Sequence, residues 1–526
     1  MDIASLDVRK KIFIDNISDI QYTYDEEILT RFSKDIYYEF QKPLIITQPK
    51  NTSEVCKIIK AVEQAKLTLT VRGGGLSYSG GYLTNRNDTV VIDMRDCNKI
   101  LEINQEDMYV NVETGVTWKQ LNETLEPLGL RTPFWGTGSG LYATVGGGLS
   151  QNAINYGSGR YGTVAESVTA LKLILANGTE LRTGSWGTDD NPSPFNRYYG
   201  PDLTGLFLAD SGALAVKAEA SLQLIPRPKE TKFLALTFSE RSDFVSAISN
   251  IGRQGLVSEC FGFDPFFLSE RIVSTGFADD VKKLLGVAKS QSSVLKGFSE
   301  AFKVAAAGRR YLKDVGYTLH MTIDGRDIDD VNSSLRIIKD ICKKDKGKEI
   351  EASIPRLMRG TPFPPPQMLL GPRGDRWVPM HGIVPHSLHG KLLNEIDSYM
   401  NSQKEIIEKY NLVWGQVSNL IGNSRILIEV NLYWKDRLTN MLESYLDESF
   451  LKNKDRHNHN PEAYDSIDHL RKGLSNLFRR NGGTHMQIGR SYPFMESRMK
   501  SVSGLIKSLK NEVDPDNIIN PGSLSL

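Results

Sequence analysis

The chain has 526 residues, 40% of them apolar, and its 64 lysines and arginines against 63 aspartates and glutamates leave a formal charge of +1. That length holds two or three domains with packed cores, and so neutral a balance gives no reason to expect nucleic acid or an anionic bilayer as partner. Four cysteines without a C-x-x-C pair argue against a disulfide framework or a zinc site, and the absence of a basic leader or of a long apolar span reads as a soluble, cytoplasmic protein.

In chain order, residues 1–40 are polar with scattered aromatics and predict a helical lead-in. From 41 to 229, short β-branched runs alternate with helical segments, an α+β pattern. Within it, Leu171 to Leu181 reads as a hairpin turning on Asn177-Gly178. Pro226-Arg227-Pro228 interrupts the strand pattern and marks a boundary. A second α+β region follows over 230–485, with strands predicted at Phe233–Phe238, Gly316–Ile323 and Arg425–Tyr433. Its predicted helices cover 241–252, 279–314, 327–343, 387–409, 436–452 and 461–479. Thr361-Pro362-Phe363-Pro364-Pro365-Pro366 must be a loop, and it is assigned to the substrate entrance. The last segment, 486–526, returns to the first domain.

Two glycine clusters stand out. One is Thr70-Val71-Arg72-Gly73-Gly74-Gly75-Leu76-Ser77; the other runs from Gly136-Thr137-Gly138-Ser139-Gly140 to Ala143-Thr144-Val145-Gly146-Gly147-Gly148. Consecutive glycines let backbone N–H groups converge on an oxygen-rich ligand, and two such loops after β-rich runs read as the walls of a diphosphate site. A nicotinamide fingerprint does not fit, since the third glycine of Gly136-Thr137-Gly138-Ser139-Gly140 falls one position early, and neither cluster has a P-loop lysine.

With these segments in order, residues 40–225 resemble the FAD-binding domain of the vanillyl-alcohol oxidase/p-cresol methylhydroxylase (PCMH-type) superfamily, which includes flavin D-lactate dehydrogenases and glycolate oxidase subunits. Further matches are Val91-Ile92-Asp93-Met94, Val112-Glu113-Thr114-Gly115-Val116, Asp202 to Phe207 with Ser211-Gly212-Ala213-Leu214, and the tail Asp514 to Gly522. The resemblance implies an α+β fold: a PCMH-type domain of two α+β subdomains and an α+β cap with an antiparallel sheet. It implies FAD held by Arg72, Gly73, Gly74, Gly75, Leu76 and Ser77 on one wall and Gly138, Ser139, Thr144, Gly147 and Gly148 on the other. Gly212 and Ala213 would approach the adenine and ribose side. Many relatives carry a flavin-linking histidine where this chain has Leu76, so non-covalent FAD is expected.

The cap resemblance rests on Arg376 to Pro385 and on Gln487 to Met495. Phenol-oxidising relatives hold a phenolate with a Tyr-Arg pair in the second segment; here Arg490 matches the arginine while Gly489 replaces the tyrosine, with Tyr492 two residues on. The chemistry asks for a base near the substrate hydroxyl and a cation for developing negative charge. Arg490 is the candidate cation, with an ordinary ion-pairing arginine as the alternative. His381 is the candidate base and His320 a second, each with a hydrogen-bonded core histidine as the alternative. Asp455-Arg456-His457-Asn458-His459 reads as an exposed loop, and no metal is expected.

The expected activity is FAD-dependent oxidation of a small alcohol, hydroxy acid or phenol. The alternatives are a flavin-binding protein without turnover and a chain whose glycines are purely structural. The implied partners are a small-molecule substrate and an electron acceptor, either oxygen or a quinone or cytochrome, with a homodimer left open.

Overall fold

A computed structural model of the protein describes residues 5–267, 316–371, 375–453 and 457–526. The first sheet has the strand order Gln21–Thr23, Ile45–Gln48, Thr89–Asp93, Thr68–Arg72, and the last three strands are parallel. Helix Thr52–Gln64 carries the chain between them. Asn51 caps it by accepting from Glu54 N, and Val55, Ile58, Ile59 and Val62, at helical spacing, bury its inner face. The C-terminal tail docks on the same sheet, with Leu69 N donating to Ile518 O (2.8 Å) and Asn520 N to Leu69 O (2.7 Å). The lead-in is not purely helical: strand Gln21–Thr23 pairs with Ile46–Gln48 between helices Leu6–Asn16 and Glu26–Phe32.

A second, antiparallel sheet runs Ile100–Asn104, Tyr109–Glu113, Val216–Gln223, Val168–Ile174, Glu180–Arg182. Its last pair is the hairpin expected at Asn177-Gly178, where Gly178 takes φ 76°. These two sheets are the two α+β subdomains the sequence implied.

The third sheet has seven antiparallel strands: Lys348–Ile350, Glu230–Phe238, Tyr317–Gly325, Glu259–Phe263, Val413–Ile421, Arg425–Trp434 and Arg376–Pro385. Strand side chains alternate, so its faces differ. Leu319, Met321, Ile323, Ile426, Ile428, Val430 and Leu432 join one core cluster with residues of the helices Arg241–Gly252, Ile328–Lys344, His386–Ser402 and Pro461–Arg480. The intervening positions, including His320, Phe261, Asn419, Glu429 and His381, share the other face by register.

Most expected cap elements are present within a few residues, but the helix expected at 279–314 lies outside the described residues. Helix 387–409 is interrupted at Gln403. The single helix expected over 436–452 is two short ones, Asn440–Glu443 and Glu448–Asn453. The first begins only after Asp436, whose buried carboxylate accepts from Arg437 N, Asn460 N and Arg376 and ties residues 436–437 into a non-helical turn. Among the described residues no helix is long and apolar enough to cross a membrane.

One buried ionic knot joins the seven-stranded sheet to the segment leading into the second glycine cluster. Arg359 donates from Nη2 to both oxygens of Asp324 (2.8 Å) and from Nη1 to Glu259 (3.2 Å), and Arg131 adds a bond to Asp324 (3.1 Å). Glu259 also accepts from Trp135 Nε1 and Gly157 N. Burial pushes the Asp324 carboxyl up, but the Arg359 and Arg131 charges outweigh it and hold it below its ordinary value. Removing one partner strands the other charges, so Arg359→Ala should cost about 3–5 kcal/mol in urea unfolding. A loss below about 1 kcal/mol would show that the knot is dispensable.

Candidate functional site

The first glycine cluster leaves strand Thr68–Arg72 and turns beneath the second. There is no room for side chains where they meet: a Cβ on Gly74 would lie 2.0 Å from Tyr142 O, and one on Gly73 2.3 Å from Thr144 Oγ1. Outward ties fix the turn. Tyr445 donates to Gly74 O (2.8 Å), and Tyr82 donates to Gly75 O (2.9 Å). Arg72 donates to Tyr445 Oη (2.7 Å) and stacks on Phe32 at 4.2 Å, so its side chain supports the turn from below. The N–H groups of Gly73, Gly74, Gly75 and Leu76 meet no acceptor among the described residues. Donors left open in this way, those of Gly74 and Gly75 in buried residues, call for a ligand rich in acceptors.

These residues line a cleft of about 1000 Å³, counting the part open to solvent. Of the residues expected to hold a cofactor, Gly73 to Ser77, Ser139, Thr144, Gly147, Gly148 and Gly212 line it. Arg72 lies behind the wall, and Ala213 spends its carbonyl on Lys510 Nζ (2.7 Å). Gly138 is not on the lining. Ser211, Gln151, Lys217 and Gln487 line the cleft as well. The open N–H row and the hydroxyls of Ser77, Ser139 and Thr144 fit the diphosphate of a dinucleotide such as FAD.

The C-terminal segment closes the floor. Arg490 donates to Gly80 O (2.8 Å), Pro521 O (2.7 Å) and Asn520 Oδ1 (2.8 Å), while Asn520 Nδ2 donates to Gly81 O and Ser211 O. Burial alone lowers the Arg490 pKa to about 10. Gly489, at φ 50°, presses on the chain: a Cβ there would lie 2.3 Å from Ser79 O, which explains why no tyrosine stands at this position. The same loop is held from the other side by the buried Asp35, which accepts from Gly80 N (2.7 Å), Tyr37 N (2.8 Å) and Tyr38 N (2.6 Å). Burial pushes the Asp35 carboxyl up to about 6, against the pull of those backbone donors.

Tyr78, on this loop, faces the seven-stranded sheet. Its hydroxyl lies 3.4 Å from His381 Nε2, and its ring meets Trp377 edge-on at 5.6 Å. Gln487, whose side chain lies beside this phenol, lines the cleft. His381 Nε2 donates to Glu429 Oε2 at 3.0 Å, directly across the strand pair. Asn431 donates to Glu429 Oε1 (2.9 Å) and accepts from Trp377 Nε1 (2.5 Å). Tyr492 joins this group by accepting from His381 N (3.0 Å), and His485 stacks on Tyr492 at 4.0 Å. Burial raises the Glu429 carboxyl, but the bond and charge of His381 outweigh it and hold it below its usual range. Burial, then the Glu429 charge, keeps the Tyr78 phenol protonated well above its ordinary pKa.

His320 stands apart. It is four strands from His381 in the sheet order, roughly 19 Å at 4.8 Å per strand. It stacks on Phe261, meets Phe263 at a tilt and bonds Thr318 Oγ1 at 3.1 Å, and burial lowers its pKa to about 3. His457, expected on an exposed loop, is half-buried on Asp375 at 2.9 Å; Asp455 and Arg456 lie outside the described residues. No group of three His, Cys, Asp or Glu side chains among the described residues could hold a metal. The proline loop does not stand free at an entrance. Phe363 fills the space over Gly136 and Gly140 and packs on Trp135 and Tyr156. Tyr78, Glu429, Asn431 and Gln487 were not singled out by the sequence. A lone carboxylate in the apolar run Arg425-Ile426-Leu427-Ile428-Glu429-Val430 was the available signal.

Comparison with known proteins agrees with the cleft. The family model of the FAD binding domain matches residues 43–184. The chain is 28% identical over 244 residues to D-lactate dehydrogenase [cytochrome] 1, mitochondrial, of Saccharomyces cerevisiae, covering 46% of this chain and 40% of that one. It is 28% identical to glycolate oxidase subunit GlcD of Bacillus subtilis, over 42% of this chain and 45% of that one. The chain thus matches less than half the length of these curated relatives. A solved structure of p-cresol methylhydroxylase superposes over 99% of this chain and 96% of its own, with TM-score 0.74 at 17% identity. An alkyldihydroxyacetonephosphate synthase does so over 97% and 84%, with TM-score 0.67 at 15% identity. At such identities the likeness establishes the fold.

Two measurements test this geometry. Gly74→Ala should weaken FAD retention at least tenfold, because its methyl meets backbone at Tyr142. Gly504→Ala, with open space around it, should leave retention unchanged and add about 0.5–1 kcal/mol of stability. Equal retention in both variants would contradict the cradle. Because folded Asp35 binds its proton more tightly than the unfolded carboxyl, its contribution is full below pH about 4 and fades as pH rises through about 6. Urea unfolding should therefore show wild type losing roughly 3 kcal/mol over that window relative to Asp35→Asn; parallel curves would refute it.

Proposed function

Its FAD-binding domain makes this chain a member of the PCMH-type FAD-linked oxidoreductase superfamily, and on that premise we propose that it oxidises a small alcohol, hydroxy acid or phenol at the His381–Glu429 pair. Residues 41–229 bind the cofactor, 230–485 form the cap, and 486–526 return to close the floor, after a lead-in over 1–40. The observation that carries the reading is the continuity from the glycine cleft through Gln487 and Tyr78 to a buried histidine–carboxylate pair.

Bound FAD would supply the two-electron acceptor that takes the hydride from the substrate carbon. The chain's own residues do the rest. The open N–H row of Gly73 to Leu76 and the Ser77, Ser139 and Thr144 hydroxyls hold the diphosphate. Leu76 can form no bond to the ring, which favours a non-covalently held cofactor over one linked through a cap residue. Glu429, rather than the His381 expected from the sequence, receives the hydroxyl proton as the carbonyl product forms, because it is the partly exposed member of the pair; His381, buried and fixed by Tyr492 through its backbone, steadies the carboxylate. Tyr78 stays a neutral donor. Arg490 acts through the loop it pins to the tail, and Tyr492 through His381. The electron acceptor is oxygen or a quinone or cytochrome. Four free cysteines support a reducing compartment and a cytoplasmic setting. Gly489 is no mark of a decayed site, since the Ser79 backbone occupies the space of its missing side chain.

Anaerobic mixing with a panel of alcohols, hydroxy acids and phenols tests the proposal. At least one should bleach the flavin absorbance, and Glu429→Gln and His381→Gln should each slow bleaching at least about a hundredfold. A flavin that no substrate class reduces, or one reduced equally fast in both variants, would overturn it.

A further inference from the structure

The His381–Glu429 pair is lopsided in its exposure. The His381 side chain is 2% exposed and that of Glu429 22%, although both lie on strands whose neighbours are buried. The member of the pair that meets open space is therefore the anion. Its two oxygens each carry one protein donor, His381 on Oε2 and Asn431 on Oε1, which leaves acceptor capacity on both.

Among the described residues, no arginine near this face pairs with it. Arg359 and Arg131 are committed to Glu259 and Asp324. Arg490 is spent on carbonyl oxygens and Asn520. Arg471 is buried behind the loop, stacked on Tyr37 at 3.9 Å and bonded to Tyr78 O and Ser491 Oγ. A carboxylate brought beside Glu429 would meet a like charge in a poorly solvated place, where His381 is already engaged by Glu429 and no described arginine faces the incoming group. The aromatic walls nearby, Tyr78 and Trp377, offer apolar faces instead.

Resting on the oxidoreductase reading, we propose that Glu429 determines specificity: its carboxylate accepts from a substrate hydroxyl and turns away substrates that carry a carboxylate beside the reacting carbon. The site then favours uncharged alcohols over 2-hydroxy acids, a divergence from the substrates in the names of the lactate and glycolate relatives.

Benzyl alcohol and mandelate test this, since they differ by one carboxylate on the hydroxyl-bearing carbon. Each is titrated anaerobically into the FAD-loaded protein, wild type and Glu429→Gln, with flavin absorbance as the readout for binding or reduction. Wild type should bind benzyl alcohol at least about tenfold more tightly than mandelate, and Glu429→Gln should bring the two within about threefold. A thermal melt of Glu429→Gln accompanies the titration, because the isosteric amide should keep the fold. Mandelate binding as well as benzyl alcohol in wild type, an unchanged ratio in the variant, or no response to either compound would each overturn the proposal. A protein that takes up no FAD would instead defeat the oxidoreductase reading beneath it.

Discussion

Two backbone turns approach so closely in this protein that neither tolerates a Cβ at the point of contact. Gly74 faces Tyr142 O at a separation no side chain survives, and Gly73 faces Thr144. Everything around the cleft serves that approach. Tyr445, Tyr82 and Arg72 fix one turn from outside, and Asp35, Arg490 and Asn520 fix the loop that follows. Carbonyls are tied outward, and a row of N–H groups is left without protein acceptors. A diphosphate is the ligand chemistry that answers such a row.

The seven-stranded sheet turns the cleft into more than a binding site. One of its faces is packed with aliphatic side chains under helices, and the other carries ionisable groups toward the glycine loops. Buried charge on that face is handled in two ways. Toward one end, Asp324 and Glu259 are neutralised by Arg359 and Arg131, which lock the sheet to the cofactor domain. Toward the other, Glu429 has His381 as its ionisable partner and Asn431 on its second oxygen, and the pair sits across from Tyr78. The first arrangement holds parts together; the second leaves a carboxylate partly exposed, the group the proposed oxidation would use as its proton acceptor.

The sequence carried the cofactor cleft well, because its determinants are local. Glycine runs, their hydroxyl neighbours and the preceding strands lie within short windows, and most of the positions read from them line the cleft. The cap's regular elements were legible for the same reason, through periodicity. What failed depended on distant partners. The helix expected from 436 starts only at Asn440, because Arg376 and Asn460 reach Asp436 from elsewhere in the chain. The proline loop could not reveal that Phe363 would sit over Gly136 and Gly140. Glu429 and His381 meet only through strand register across 48 residues. His320 has the same strand parity and looked equivalent, but lies four strands away.

The account turns on FAD bound without a covalent link in the glycine cleft, and one absorption spectrum tests it most directly. The purified protein should show flavin bands, and acid precipitation should release the yellow colour to the supernatant as FAD. Colour retained in the pellet would contradict non-covalent binding. A colourless protein that gains no flavin band on addition of FAD would contradict the account as a whole.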